Sequence, residues 1–185
     1  PAQIEKLCQE ARQYGFFSVC VNSSYVPLVA HELKGSDVKV CTVVGFPLGT
    51  MSTQGKLHEA STALAEGADE IDMVINLGLL LSGQITKVRD EIALLKQETA
   101  DKVLKVIIET CYLTDDQKRL AAQLCVDAGA DFVKTSTGFG TGGATFADVQ
   151  LIKEVVGDNA LIKASGGIRD RETALQYIAF GASRI

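Results

Sequence analysis

Residues 129–143 read GADFVKTSTGFGTGG, and the order of residue types in that run decides the fold. Gly129-Ala130-Asp131 ends a helix just before a strand. Asp131–Ser136 is a short apolar run with a single lysine inside it, the composition of a parallel strand covered on both faces. The small residues that follow read as the C-terminal mouth of a parallel β-barrel.

Working outward, the same entry turn recurs. Tyr14-Gly15-Phe16, Gly67-Ala68-Asp69 and Gly181-Ala182-Ser183 each close a helix before a strand, and the four glycines lie 52, 62 and 52 residues apart. That spacing is about two strand–helix units, as expected where alternate strands of a barrel share an entry turn. Strand-like runs rich in Val and Ile cover Phe16–Val21, Val38–Gly45, Glu70–Asn76, Val103–Thr110, Asp131–Ser136 and Leu161–Ser165, with a last start at Ala182–Ile185. They read as mostly apolar on both faces. Amphipathic helices separate them. Ile4, Leu7, Cys8 and Ala11 form the stripe of the first, Thr114 with Gln117 forms a capping box, and Thr145 with Asp148 marks another helix start.

The fold class is therefore α/β, a TIM (β/α)8 barrel, forming a single domain over residues 1–185. A doubly wound sheet is the runner-up, but no GxGxxG follows a strand. Only seven strands can be counted. The chain opens on a helix and stops within a strand, so the expectation is a barrel lacking its first strand and final helix in this chain.

Composition narrows the function. A net charge of −5 argues against a general nucleic-acid binder. No signal peptide and no long apolar run is present, so neither secretion nor membrane association is expected. The 5 cysteines have no CxxC or zinc-ligand spacing, which favours reduced thiols and a cytoplasmic setting.

Chemistry concentrates in two lysines, Lys134 and Lys163, which are 29 residues apart, one strand–helix–strand repeat. A charged lysine inside an apolar strand is costly to bury. Phe132, Lys134 and Ser136 share one strand face, as do Leu161, Lys163 and Ser165, so adjacent strands can bring both amines into one pocket. A free lysine has a pKa near 10.4, which leaves roughly one amine in 2,500 neutral at pH 7. A second ammonium about 5 Å away repels it by about 3 kcal/mol at an effective dielectric of 20, lowering that pKa by about 2.4. Burial acts in the same direction. This is the pattern of a Schiff-base nucleophile with a cationic neighbour. The plainer reading is a lysine that snorkels to the rim and pairs with a carboxylate, and that reading is preferred for Lys105, nearer its strand start.

Asp72 is an acid inside an apolar strand and needs a partner. It is either a proton-transfer group beside the lysines or half of a structural ion pair. The Ser165–Asp170 turn and the Gly181–Arg184 turn offer backbone N–H groups, and loops after the last barrel strands often hold phosphate. Cys20 touches the site or fills the barrel. Glu109 lines the mouth or pairs with a lysine. His31 and His58 sit in helical stretches without a second ligand at metal spacing.

With these residues assembled, the chain resembles the 2-deoxyribose-5-phosphate aldolase family, class I Schiff-base aldolases of the TIM-barrel type. The resemblance rests on VCVNSSYV, KVCTVVGFPLGT, GADEIDMVIN, LKVIIET, AGADFVKTSTGFG, IKASGGIR and FGAS, in family order over essentially the whole chain. It implies that Lys134 forms the imine, Lys163 tunes it and Asp72 assists proton transfer. It implies phosphate contacts from Gly166, Gly167, Arg169, Gly181 and Ser183, with Thr137 and Gly138 bordering the sugar and Cys20 nearby. Some relatives carry a lysine where this chain has Phe139, so that phosphate contact does not transfer.

The implied reaction is metal- and cofactor-independent. It is the reversible cleavage of 2-deoxy-D-ribose 5-phosphate to D-glyceraldehyde 3-phosphate and acetaldehyde, in deoxynucleotide catabolism. The implied partners are a phosphorylated sugar and short aldehydes, with a homodimer or higher homo-oligomer as the expected assembly. The rivals are another lysine aldolase acting on a different sugar phosphate and a non-enzymatic sugar-phosphate binder.

Overall fold

The computed structural model describes residues 1–185. Six parallel strands lie side by side in chain order: β1 (Ser18–Val21), β2 (Lys39–Val44), β3 (Glu70–Val74), β4 (Val103–Ile107), β5 (Phe132–Lys134) and β6 (Leu161–Lys163). Arg184 adds a single parallel bridge to Lys163, where the sequence suggested a seventh strand. From there its guanidinium reaches Ser18 Oγ of β1 at 3.4 Å. The two edges of the sheet thus face each other across an interior, and the sheet is a half-barrel.

Eight helices alternate with the strands: α1 (Ala2–Tyr14), α2 (Val26–Glu32), α3 (Thr53–Ala65), α4 (Leu77–Leu81), α5 (Ile85–Thr99), α6 (Asp115–Asp127), α7 (Phe146–Val156) and α8 (Arg171–Ala179). Their ends follow local chemistry. Gly15 stops α1 at φ 66°. Thr114 and Gln117 close the capping box of α6, and the Thr145 side chain accepts the Asp148 N–H to start α7. Asn76, read from sequence as strand, instead caps α4 by accepting the Leu79 N–H at 3.1 Å. None of these helices is long and apolar enough to cross a membrane.

The strand period of two sorts the sheet into unlike faces. Ile71, Met73, Leu104, Val106, Val133 and Ile162 turn outward under the helices, within a core cluster of 39 buried residues. Each such side chain contributes about 1.5–3 kcal/mol by leaving water. The opposite face carries Glu70, Asp72, Lys105, Lys134 and Lys163, joined by Arg184. The expectation of strands mostly apolar on both faces is corrected for the inner face, where these charges alternate with Val43, Val74, Ile107 and Phe132. Lys134 and Lys163 are the last residues of β5 and β6, so both amines stand at the C-terminal mouth, where barrel loops assemble active sites.

Candidate active site

Register places the lysines. Lys134 of β5 pairs with Lys163 of β6, and Ile107 of β4 pairs with Lys134. Asp72 rises from β3 and lies between them. Its Oδ2 accepts Lys134 Nζ at 2.7 Å and Lys163 Nζ at 3.1 Å. Its Oδ1 accepts Lys105 Nζ at 2.8 Å and the Cys41 thiol at 3.3 Å. A carboxylate with no exposure thus receives four donors, the satisfaction a buried anion requires.

Lys105 does not snorkel to a rim. It is fully buried and bridges Asp72 to Glu70, whose Oε2 lies 2.7 Å away. Arg184 then pairs with Glu70 at 3.2 Å and lies over the Phe17 ring at 3.6 Å. The carboxylate pairing expected for Lys105 is present, but it sits inside the charged network.

The electrostatics correct one sequence inference. Burial pulls the Lys134 amine down, but the Asp72 carboxylate against it and the Cys20 and Cys41 thiols nearby together outweigh that effect and leave the pKa raised. Repulsion between the two lysines is offset by the Asp72 anion that bridges them. Burial pushes the Asp72 carboxyl up, yet Lys134, Lys163 and Lys105 together hold it well below the usual carboxylate range. In the resting site Lys134 is an ammonium ion, and it becomes a nucleophile only when its proton is taken away.

A cavity of about 320 Å³ opens over Lys134, with Cys20, Thr137 and the apolar side chains of Tyr25, Phe46 and Phe139 on its walls. The Cys20 thiol is lowered to about 7, chiefly by its hydrogen bond with Cys41. The sulfurs of Cys20 and Cys41 and a carboxylate oxygen of Asp72 lie within 4.8 Å of one another, a grouping that no sequence spacing revealed. The three ammonium groups on Asp72 oppose a dication there. Hydrogen bonds fix the mouth: Ser165 Oγ donates to Ser136 O at 2.7 Å, and Ser165 N donates to Thr135 Oγ at 3.1 Å.

The remaining expected residues divide by place. Gly166 and Gly167, at φ 86° and 84°, form the turn directly above Lys163, with Arg169 exposed beside it. Gly138, at φ 86°, follows Thr137 in the loop after Lys134. Gly181 and Ser183 lie elsewhere. They precede the segment pairing with β6, where Ser183 N donates to Ile162 O at 2.8 Å, so they mark the strand entry and not its mouth. Arg184 points inward, so the exposed Ser183 beside it faces out of the half-barrel. The phosphate role expected for that turn is not supported by its position. His31 and His58 are exposed on α2 and α3. Glu109 lines the mouth beside Thr137 and pairs with no lysine.

Comparison with known proteins agrees with this geometry. Residues 1–183 match the family model described as DeoC/LacD family aldolase. A deoxyribose-phosphate aldolase of Coprothermobacter proteolyticus is 60% identical over 183 residues, covering 99% of this chain and 84% of that protein. The Brevibacillus brevis protein of the same name is 56% identical, covering 98% and 82%. Among solved structures, an aldolase called QR15 superposes with a TM-score of 0.96 at 43% identity, covering 100% of this chain and 82% of that one. A deoxyribose phosphate aldolase from Aeropyrum pernix, described as a unique tetramer, gives 0.89 at 34% identity, covering 98% and 77%.

Proposed function

This chain belongs to the DeoC/LacD aldolase family, and on that premise we propose that Lys134 is its imine-forming residue, with Asp72 and Lys163 as its proton-handling partners. The enzyme is a lyase whose activity is the aldol cleavage of deoxyribose phosphate. The observation that carries the assignment of roles is the shared Asp72 Oδ2, which accepts both Lys134 and Lys163.

Lys134 sheds a proton through Asp72 and attacks C1 of the open-chain aldehyde. Loss of water from the carbinolamine leaves an iminium. The C3 hydroxyl then gives up its proton as the C2–C3 bond breaks, and the bonding electrons flow into the iminium to form an enamine. Glyceraldehyde 3-phosphate departs. Protonation of the enamine carbon and hydrolysis release acetaldehyde and restore the amine. The iminium withdraws electrons from the breaking bond. Asp72 and Lys163, on one hydrogen-bonded chain with Lys134, move the protons.

Thr137 and Gly138 border the sugar in this reading, and Cys20 walls the cavity beside Lys134. The Gly166–Gly167 turn and Arg169 are the phosphate contacts. Gly181 and Ser183, at the other rim, are left out. The five free cysteines suit a reducing, cytoplasmic setting. A homo-oligomer fits the tetrameric relative.

The test is incubation with acetaldehyde and borohydride, followed by peptide mapping. An ethyl group on Lys134 alone is expected. Labelling of Lys163 instead, or of no lysine selectively, overturns the assignment.

A further inference from the structure

Helix α3 carries a carboxylate that the chemistry at Lys134 does not use. Glu59, half-buried on that helix, employs both of its oxygens. Oε2 accepts the Gly45 N–H at 2.8 Å, and Oε1 accepts the Ser23 hydroxyl proton at 3.1 Å. Gly45 is the first residue past β2, and Ser23 opens the single helical turn Ser23–Tyr25 past β1. The loops after two neighbouring strands are thus joined through a side chain that belongs to neither. The Gly45 N–H is buried and has no backbone acceptor, so this carboxylate is the partner it requires.

The helix itself is a fixed base. One turn before Glu59, the fully buried Lys56 donates to Val74 O at the end of β3, at 2.8 Å, and to Glu91 Oε1 of α5, at 2.6 Å. The other Glu91 oxygen accepts the Thr53 hydroxyl proton at 2.8 Å, so the buried pair is fully partnered. Gly45 is fitted against it: a Cβ there would lie 2.8 Å from Lys56 Cε, on a backbone at φ 63°. What the two tied loops carry is a wall of the Lys134 cavity. Phe46 follows Gly45 directly, Tyr25 lies two residues past Ser23, and both line that cavity. Phe46 continues the wall to the loop after β5, edge-on to Phe139 with ring centroids 5.5 Å apart. The loop after β1 most needs such a tie, because β1 is an edge strand with a neighbour on one side only.

We propose that Glu59 is a positioning residue for substrate binding, locking the Tyr25 and Phe46 loops together as one wall of the Lys134 cavity. The inference rests on the aldolase reading, which makes that cavity the substrate's. Lys134, Lys163 and Asp72 stand on β5, β6 and β3, and none of them is bonded to Glu59, so the wall can be loosened without disturbing the reacting groups. Glu59→Ala releases both loops. Glu59→Gln keeps both ties, because its amide oxygen takes the Gly45 N–H and its NH2 group donates to the Ser23 oxygen.

The experiment measures kcat and KM for cleavage of 2-deoxyribose 5-phosphate. In Glu59→Ala, KM should rise at least about tenfold while kcat stays within about threefold, the pattern of binding lost equally from ground and transition states. Displacements on the order of 1 Å are enough for effects of that size. Glu59→Gln should bring KM back to within about twofold of the wild type. Ser23→Ala, which cuts only the tie to the β1 loop, should raise KM in the same direction, and it serves where Glu59→Ala does not fold. An unchanged KM in either folded alanine variant, a loss confined to kcat, or a glutamine variant as impaired as the alanine one overturns the inference and leaves Glu59 a brace only. Wild-type protein that yields no borohydride-trapped Lys134 overturns the aldolase reading beneath it, a failure visible before any variant is compared.

Discussion

Lys134 and Lys163 stand in register on neighbouring strands and donate to the same oxygen of Asp72, at 2.7 and 3.1 Å. While the carboxylate holds the Lys134 ammonium, the amine stays protonated; in the proposed mechanism the amine is freed once that proton has moved on along the Asp72–Lys163 chain. Lys163 decides how strongly Asp72 can hold on, because it competes for the same lone pairs.

Lys163→Leu should therefore move Lys134 further up. Asp72 Oδ2 is left to Lys134 alone, and a repelling charge is removed. The rate of borohydride trapping with acetaldehyde, followed against pH, should shift to higher pH and fall near neutrality. A shift to lower pH means that Lys163 does not act on Lys134 through this carboxylate.

Asp72→Asn should separate the two roles of the carboxylate. Without the anion, burial and the Lys163 charge dominate, so the trapping profile of Lys134 should move to lower pH. Turnover should nevertheless fall by about 10²–10⁴, the usual contribution of a positioned proton-transfer group. Turnover preserved within tenfold would remove Asp72 from the chemistry.

Much of this arrangement is legible in sequence, for a definite reason. Lys134, Lys163 and Asp72 interrupt apolar strands, where charge is expensive, so each stands out without any structure. The capping residues Thr114 and Thr145 are equally plain because capping is local. Register is not local. Lys105 reads as a strand-start lysine until β3 and β4 are paired and Asp72 falls opposite it. Nor is the Glu59 tie encoded in any periodicity, since it joins residues 36 and 14 positions away. Gly181 and Gly166 carry the same glycine signature, and only the strand bounds show that one enters the sheet and the other leaves it. The direction of the Lys134 shift is not legible from the two lysines alone, because it depends on the anion that strand pairing places between them.

The buried network also sets stability. Lys105→Met leaves Glu70 and Asp72 short of a fully buried partner, a change that typically costs about 3–5 kcal/mol. Guanidinium titration at neutral pH should show that loss, and a loss below 1 kcal/mol would mean the pair is not what holds this part of the sheet.

The same groups fix the pH window. Asp72 lies below its unfolded value of about 3.9, so its contribution is complete above that pH and is lost as pH falls toward the folded value. Lys105 and Lys134 lie above their unfolded value of about 10.4, so theirs is complete below it and lost as pH rises through the folded values. The stability contributed by these three groups should be level from about pH 5 to 9 and decline on both sides. In Lys105→Met the alkaline decline should shrink. A variant that keeps the full alkaline decline places its origin elsewhere in the chain.

The five thiols should react very unequally. Burial raises Cys8 and Cys125, and the hydrogen bond with Cys20 together with burial raises Cys41, so these three hold little thiolate near neutrality. Cys20 is exposed to the cavity and lowered to about 7. Brief iodoacetamide treatment at pH 7.5, about half a unit above that value, should modify Cys20 ahead of the rest. A carbamidomethyl group there projects into the Lys134 cavity, so cleavage should fall in step with labelling. Bound substrate should slow both. Labelling led by Cys111, or activity unchanged at full Cys20 modification, would separate this thiol from the site.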